Sequence, residues 1–335
     1  MAIKATLIPG DGIGPEIVAA TVEILDAMGR PFDFDVQNAG QRAFEETGNA
    51  LPEATKNSIR ERGLALKGPL ATPSGGGYRS ATVQMREEFQ LFANVRPSQS
   101  FVPGFRADVD LVLVRENLQG LYASAEGYIP SLEDPHAVAF ATAYNTKDEM
   151  RRILRYGIDL ARKRDKDRKV TVVHKSNILK KLSGIIIEAA NELAPFCTDV
   201  KIEHEIADAF GANLVKKPGH YDVIVTTNLF GDLFSDIAAV LVGSLGTAAG
   251  ANYGEHAAIF EAVHGTAEDI VGKGIANPTS ILLSTVMMLE HAGLKKEAAG
   301  LEWAVKDAIQ SRQMTGDIGG SLNTEGFVKA ICERL

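Results

Sequence analysis

Short runs of β-branched and aliphatic residues alternate along this chain with longer stretches whose apolar residues recur every three or four positions. "KATLIPG", "DVDLVLVREN", "KVTVVHKSN" and "YDVIVTTN" are of the first kind and predict strands, while Ala207 to Val215 and Ile281 to His291 are of the second and predict amphipathic helices. Such an alternation favours an α/β fold with a largely parallel sheet. "RRILRYGIDLARKRDKDRK" is dense in positive charge. Yet Met150, Ile153, Leu154, Ile158 and Ala161 form one apolar helix face, and Asp159, Asp165 and Asp167 interrupt the charge, so the stretch predicts a solvated helix face. From Tyr122 to about Tyr144 the pattern changes: Pro130, Pro135 and the alternating "AVAFATAY" predict a β excursion suited to an arm that packs on a neighbouring subunit.

Near the start, "IPGDGIGPE" sets Gly10, Gly12 and Gly14 on alternate positions after an apolar run. The G-x-G-x-x-G fingerprint of a dinucleotide cradle fails by one residue, because Pro15 stands where the third glycine belongs. Proline suits the first turn of a helix, and "EIVAATVEILDAMG" continues at helical spacing to Gly29, so the stretch reads as strand, tight turn, helix.

Charge narrows the partners. The 335 residues carry 35 basic and 43 acidic side chains, a formal charge of −8 that argues against a nucleic-acid or anionic-membrane surface. An anionic substrate would then need a local cluster of arginines. Cys197 and Cys332 make no CxxC pair and no disulfide framework, the N-terminus lacks the features of a signal peptide, and "IAAVLVGSLGTAAGA" is too short and glycine-interrupted to span a membrane. The expectation is a cytoplasmic protein without membrane or nucleic-acid partners.

Several segments carry candidate chemistry. "NLFGDLFSDIAAVLVG" puts Asp232 and Asp236 on one helix face, a pair of carboxylates that suits a hard divalent cation or, equally, a helix N-terminus. "GGGYRSATVQMREEFQLFANVRP" sets Arg79, Arg86 and Arg96 around Ser80 and Thr82, with Arg115 following in "LVLVREN". Guanidinium forks near small hydroxyls suit a di- or tricarboxylate, although Arg86 paired with Glu87 or Glu88 on a surface helix satisfies the same spacing. "HEIAD" misses the zinc-protease pattern because Asp208 replaces the second histidine, and no G-x-S-x-G elbow or Walker loop occurs.

Taken in order, "IPGDGIGPE", "LKGPLATPSGGGYRS", "FANVRP", "VRENLQGLY", "VVHKSN", "NLFGDLFSD" and "HGTAEDIVGKGIANPTS" resemble the β-decarboxylating dehydrogenases that act on isocitrate, isopropylmalate, homoisocitrate and tartrate. The resemblance implies a two-domain α/β fold of the isocitrate/isopropylmalate dehydrogenase type, not a standard Rossmann fold. Its large, cofactor-binding domain would comprise residues 1–91 and 243–335, and its smaller dimerisation domain residues 92–242, with a β arm at about 122–144. It also implies oxidation of a 2-hydroxy acid by a nicotinamide cofactor, followed by loss of the β-carboxylate as carbon dioxide, with a divalent metal acting as Lewis acid. Asp208, Asp232 and Asp236 match its metal ligands, Asp208 being lent by a partner subunit. Lys175 matches the residue implicated in proton removal, also lent by the partner, and Tyr122 the acid that protonates the enol carbon. At least a homodimer with shared active sites follows.

Substrate-binding positions of the family fall on Ser80, Thr82, Arg86, Arg96, Arg115 and Asn177, and with Lys67 and "TPSGGG" they look like the isocitrate branch. Thr82 and Ala71 depart from that branch in a way that suits homoisocitrate, one methylene longer. Cofactor positions fall on Thr72, Glu261, His264, Gly265, Asp269, Ile270 and Asn277. Asp269 and Ile270 stand where NADP-dependent relatives carry a lysine and a tyrosine; a carboxylate there accepts from ribose hydroxyls and repels a 2′-phosphate, which implies NAD. The expected activity is NAD-dependent oxidative decarboxylation of isocitrate with Mg2+ or Mn2+; the alternatives are a homoisocitrate dehydrogenase and a noncatalytic regulatory subunit.

Overall fold

The computed structural model describes residues 2–73 and 77–335, so Ser74, Gly75 and Gly76 of "TPSGGG" lie outside the described residues. In chain order the strands are β1 (Ile3–Ile8), β2 (Phe32–Val36), β3 (Leu64–Lys67), β4 (Ala93–Gln99), β5 (Asp110–Glu116) and β6 (Ala125–Ile129). They continue with β7 (Val138–Thr142), β8 (Lys169–His174), β9 (Lys201–Ile206), β10 (Val223–Thr226), β11 (Ala249–Tyr253) and β12 (Ala258–Ala262). The chain divides into two compact units: Met1–Leu91 with Arg96–Val109 and Ala239–Leu335, and Phe92–Val95 with Asp110–Ala238.

In the first unit the strand order is β2-β1-β3-β12-β11, parallel except for β11 against β12. Side chains alternate between the two faces of these strands. Leu64, Leu66, Ala258 and Phe260 join Ile17, Ile24, Leu282, Leu289, Leu301 and Ile331 in one core. Ala65 and Ile259 join Leu51, Ile59, Met85 and Leu91 in a second. Helices thus cover both faces, which is why β3 and β12 are buried throughout, whereas the edge strand β2 alternates its apolar residues with Asp33 and Asp35.

The glycines of "IPGDGIGPE" serve close backbone approach. The Asp11 N–H donates to Pro69 O at 2.8 Å and the Ile13 N–H to Thr266 O at 3.0 Å. Gly10 and Gly12 have φ of +83° and +58°, and a Cβ on either would overlap those same two carbonyl oxygens. The helix Gly14–Ala27 follows with Pro15 in its first turn.

The second unit has the parallel order β5-β10-β8-β9, with Val223 opposite Val112 on one side and Val170 on the other. Its helix Lys147–Arg164 begins where Thr146 accepts from the Glu149 N–H and buries Met150, Ile153, Leu154, Ile158 and Ala161, the face that the sequence pattern predicts. Strands β6 and β7 form a separate antiparallel pair, Ala125 opposite Thr142 through Ile129 opposite Val138, and expose Tyr128, Ile129, Val138 and Phe140. Among the described residues no helix is long and apolar enough to cross a membrane.

At the end of β5 the chain turns around Glu116, whose fully buried carboxylate accepts from the backbone N–H groups of Leu118 (2.7 Å) and Gln119 (3.0 Å). Burial outweighs these bonds and raises the carboxyl to about 7.

Two outcomes follow from this packing. Leu154→Ala removes a side chain with no exposed surface and is expected to cost about 2–5 kcal/mol in denaturant unfolding, whereas Arg155→Ala on the opposite face stays within ~0.5 kcal/mol. For Glu116 the folded carboxyl holds its proton to higher pH than the unfolded one. Its contribution is therefore full below about 4.5 and is lost as pH rises to about 7. Glu116→Gln, which keeps an acceptor for both N–H groups, is expected to flatten that decline and to exceed the parent in Tm at pH 8; equal pH slopes in thermal melts would refute it.

Candidate active site

In the first unit the site is built on adjacent strands. Glu261 of β12 stands opposite Lys67 of β3 in register, and their buried side chains pair at 2.8 Å. Asn252 of β11 donates to the same carboxylate at 2.7 Å, and an Arg86 nitrogen lies 3.9 Å from it. Burial alone would raise Glu261, but the Lys67 and Arg86 charges, with hydrogen bonds from Lys67 and Asn252, hold it down at about 2. Glu261 is thus a permanent anion holding two cations. The expectation that Arg86 could be an ordinary surface residue paired with Glu87 or Glu88 fails: Arg86 is 8% exposed and turned toward Glu261. Glu87 pairs instead with Arg79, and Glu88 with Arg60.

Arg86 lies on the helix Ala81–Glu88, which starts after Ser80. Thr82 and Arg86 are one turn apart and share a face. The Thr72 hydroxyl donates to that of Ser80 at 3.1 Å, which joins a residue implied for cofactor to one implied for substrate. Arg96 is buried in β4.

His264, Gly265, Asp269 and Ile270 follow β12, with Asp269 exposed in the short turn Glu268–Ile270. The His264 Nδ1 lies 2.9 Å from Gly265 O, which can only accept, so Nδ1 carries the proton. Burial lowers the imidazole and keeps it neutral. Its Nε2 is therefore an acceptor, buried and without a hydrogen-bond partner among the described residues. Asn277 is already engaged: it donates to Asp317 at 2.9 Å and accepts from the Thr279 N–H at 2.9 Å.

In the second unit Arg115, 1% exposed at the end of β5, reaches the helix Asn228–Val242. Its Nε and Nη2 donate to Asn228 Oδ1 at 3.0 and 2.7 Å, and its Nη1 pairs with Asp232. The Tyr122 hydroxyl donates to the other Asp232 oxygen at 2.5 Å, and the Arg115 guanidinium lies 5.0 Å from the Tyr122 ring centre. Tyr122 comes from a one-turn helix, Gly120–Ala123, placed by the turn around Glu116. Asn228 was not singled out from sequence, although it stands four residues before Asp232, the helical spacing that already linked Asp232 to Asp236.

Lys175 and Asp208 form a pair of their own at 2.5 Å, and the ammonium holds the Asp208 carboxyl below the usual range. The Lys175 N–H is fixed by the Ser183 hydroxyl at 2.7 Å. Asp236 and Asn177 are exposed. Among the described residues no three carboxylate, imidazole or thiol side chains gather around a common point. Asp232 and Asp236, one helical turn apart, thus share a helix but do not meet Asp208 within one chain.

The sequence and fold were compared with known proteins. A family model described as isocitrate/isopropylmalate dehydrogenase matches residues 4–331. The isocitrate/homoisocitrate dehydrogenase of Thermus thermophilus is 41% identical over 100% of this chain and 99% of its own. The human mitochondrial protein named isocitrate dehydrogenase [NAD] subunit alpha is 39% identical over 98% of this chain and 90% of its own. The crystal structure of isocitrate dehydrogenase from Methylococcus capsulatus superposes with a TM-score of 0.95 at 47% identity, covering 99% of both chains. The family match spans nearly the whole chain, and the ordered motifs, the mixed α/β architecture and these relatives agree: the chain belongs to the isocitrate/isopropylmalate dehydrogenase family.

Proposed function

We propose that this dehydrogenase catalyses the NAD-dependent oxidative decarboxylation of isocitrate to 2-oxoglutarate and carbon dioxide, with a divalent cation, as a homodimer or higher homo-oligomer. The observation that carries the substrate reading is the buried Arg86, held toward Glu261 on the helix that begins after Ser80. Isopropylmalate enzymes resemble one another in offering apolar residues in this segment to an alkyl group. Here a desolvated guanidinium shares its helix face with Thr82, a pocket chemistry that favours a further carboxylate. Ser80, Thr82, Arg86, Arg96, Arg115 and Asn177 are the residues we assign to the substrate's carboxylates.

The chemistry divides among the residues by charge state. Bound NAD would supply the hydride acceptor, and a bound divalent cation would supply a Lewis acid for the 2-oxygen. Lys175, after its ammonium has lost a proton to solvent, takes the hydroxyl proton as the neutral amine, and the ammonium so formed pairs again with Asp208. Tyr122 returns a proton to the carbon that lost the carboxylate, and Asp232 orients its hydroxyl. Cofactor binding is supported by the unpartnered Nε2 of His264, an acceptor suited to an adenine amino group, and by Asp269, whose exposed carboxylate suits ribose hydroxyls and disfavours a 2′-phosphate. Carboxylate oxygens from Asp232, Asp236 and Asp208 suit Mg2+ or Mn2+. Because one chain does not bring the three together, we assign Asp208 and Lys175 of each site to a second copy. The exposed strands β6 and β7, with exposed Leu233 and Ile237 on the Asp232 helix, supply apolar surface for that copy. Homoisocitrate is the second reading, favoured by Thr82 and the small Ala71 and by the name of the Thermus relative.

Initial rates with isocitrate, homoisocitrate, isopropylmalate and tartrate, each with NAD and NADP and a divalent cation, test the assignment. Isocitrate with NAD is expected to be the best pair; preference for homoisocitrate selects the second reading, and absence of turnover by the purified chain refutes both. The shared site has its own test. Asp208→Asn and Asp232→Asn homodimers are each expected to be inactive, and their mixture, unfolded and refolded together, should regain about a quarter of the parental activity. No recovery in refolded hybrids would place all ligands in one chain.

A further inference from the structure

Both backbone polar groups of Ala71 are tied down. Its N–H donates to Asp11 Oδ2 at 2.8 Å, and its carbonyl accepts from the Tyr78 hydroxyl at 2.9 Å. Asp11, 7% exposed, also accepts from the N–H groups of Gln41 (3.0 Å) and Arg42 (3.2 Å), the first two residues of the helix Gln41–Thr47. That helix has no side-chain cap of its own, because Gly40 precedes it with φ +83°, and a Cβ there would overlap Asp11 and stand 2.9 Å from Leu70. The same helix presents Phe44 to the Tyr78 ring, centroids 4.8 Å apart. The contacts close a circuit from Asp11 to the helix, from Phe44 to Tyr78, and from Tyr78 back through Ala71 to Asp11.

Next to Ala71 in sequence is Thr72, and two residues beyond Tyr78 is Ser80, whose hydroxyls are bonded to each other. We propose that Asp11 and Tyr78 are positioning residues: they clamp Ala71 from both sides so that the Thr72 and Ser80 hydroxyls are held in binding geometry before any ligand arrives. This rests on the function proposed above, in which Thr72 faces cofactor and Ser80 faces substrate. Side chains held in place in advance lose less conformational entropy on binding, so the clamp acts on affinity and not on the chemical step. It also gives the aspartate of "IPGDGIGPE" a task that a phosphate cradle would not need.

Tyr78→Phe isolates the clamp, since it deletes one hydroxyl and keeps the ring on Phe44. In the ligand-free protein, residue-resolved hydrogen exchange at the Ala71 amide is expected to accelerate about three- to tenfold. KM for the hydroxy acid, or the Kd for NADH read by its fluorescence, should rise by a similar factor, with kcat within about twofold. Asp11→Asn, which cannot accept from all three N–H groups, should show the larger change in exchange. Unchanged exchange in Tyr78→Phe overturns the proposal. So does faster exchange with unaltered KM and NADH affinity, or a fall in kcat at constant KM. If the parent turns over none of the acids, the proposed function fails by itself, while the exchange and NADH measurements still decide the clamp.

Discussion

One buried carboxylate organises the charged residues of the first unit. Glu261 lies between Lys67 and Arg86 and supplies a buried counter-charge to both. Losing one partner of such a group costs several kcal/mol, because the remaining charge has neither water nor a neighbour. Strand pairing enforces the arrangement: β12 lies beside β3 in a register that sets Glu261 opposite Lys67, and β11 on the other side delivers Asn252. Sheet topology and site electrostatics are therefore one constraint, and a register slip would turn these side chains to the opposite face.

The second unit uses a different device. Asp232 is not buried, but its oxygens are shared between Arg115 and Tyr122, and Asn228 takes the rest of the guanidinium. Lys175 and Asp208 hold each other apart from this group. Arg115 with Asp232 and Lys175 with Asp208 thus pair within one chain, and among the described residues the three aspartates do not gather around a common point.

The loop "IPGDGIGPE" joins these themes to the backbone. Its N–H groups bond carbonyls at Pro69 and Thr266, just before the Ala71–Ser80 segment and within "HGTAEDI". Two segments far apart in sequence are thereby fixed to a single turn, and the glycines are required because the backbones approach too closely for a side chain.

The sequence by itself determined the elements and the fold class. Periodicity identified the strands at "DVDLVLVREN" and "YDVIVTTN" and the buried face of Lys147–Arg164, and spacing put Asp232 and Asp236 on one face of any helix that held them, since period and spacing are local properties written in neighbouring residues. Spacing could not tell whether Arg86 paired with Glu87 on a surface or lay buried, because its partner, Glu261, is 175 positions away and reached only through strand pairing. Asn228 and Tyr78 escaped for the same reason: their roles lie in contacts with Arg115, Ala71 and Phe44 made by folding. Only the tertiary structure decided which charges are desolvated and which backbone groups a side chain must satisfy, because burial and long-range hydrogen bonding depend on the packing of elements distant in the chain.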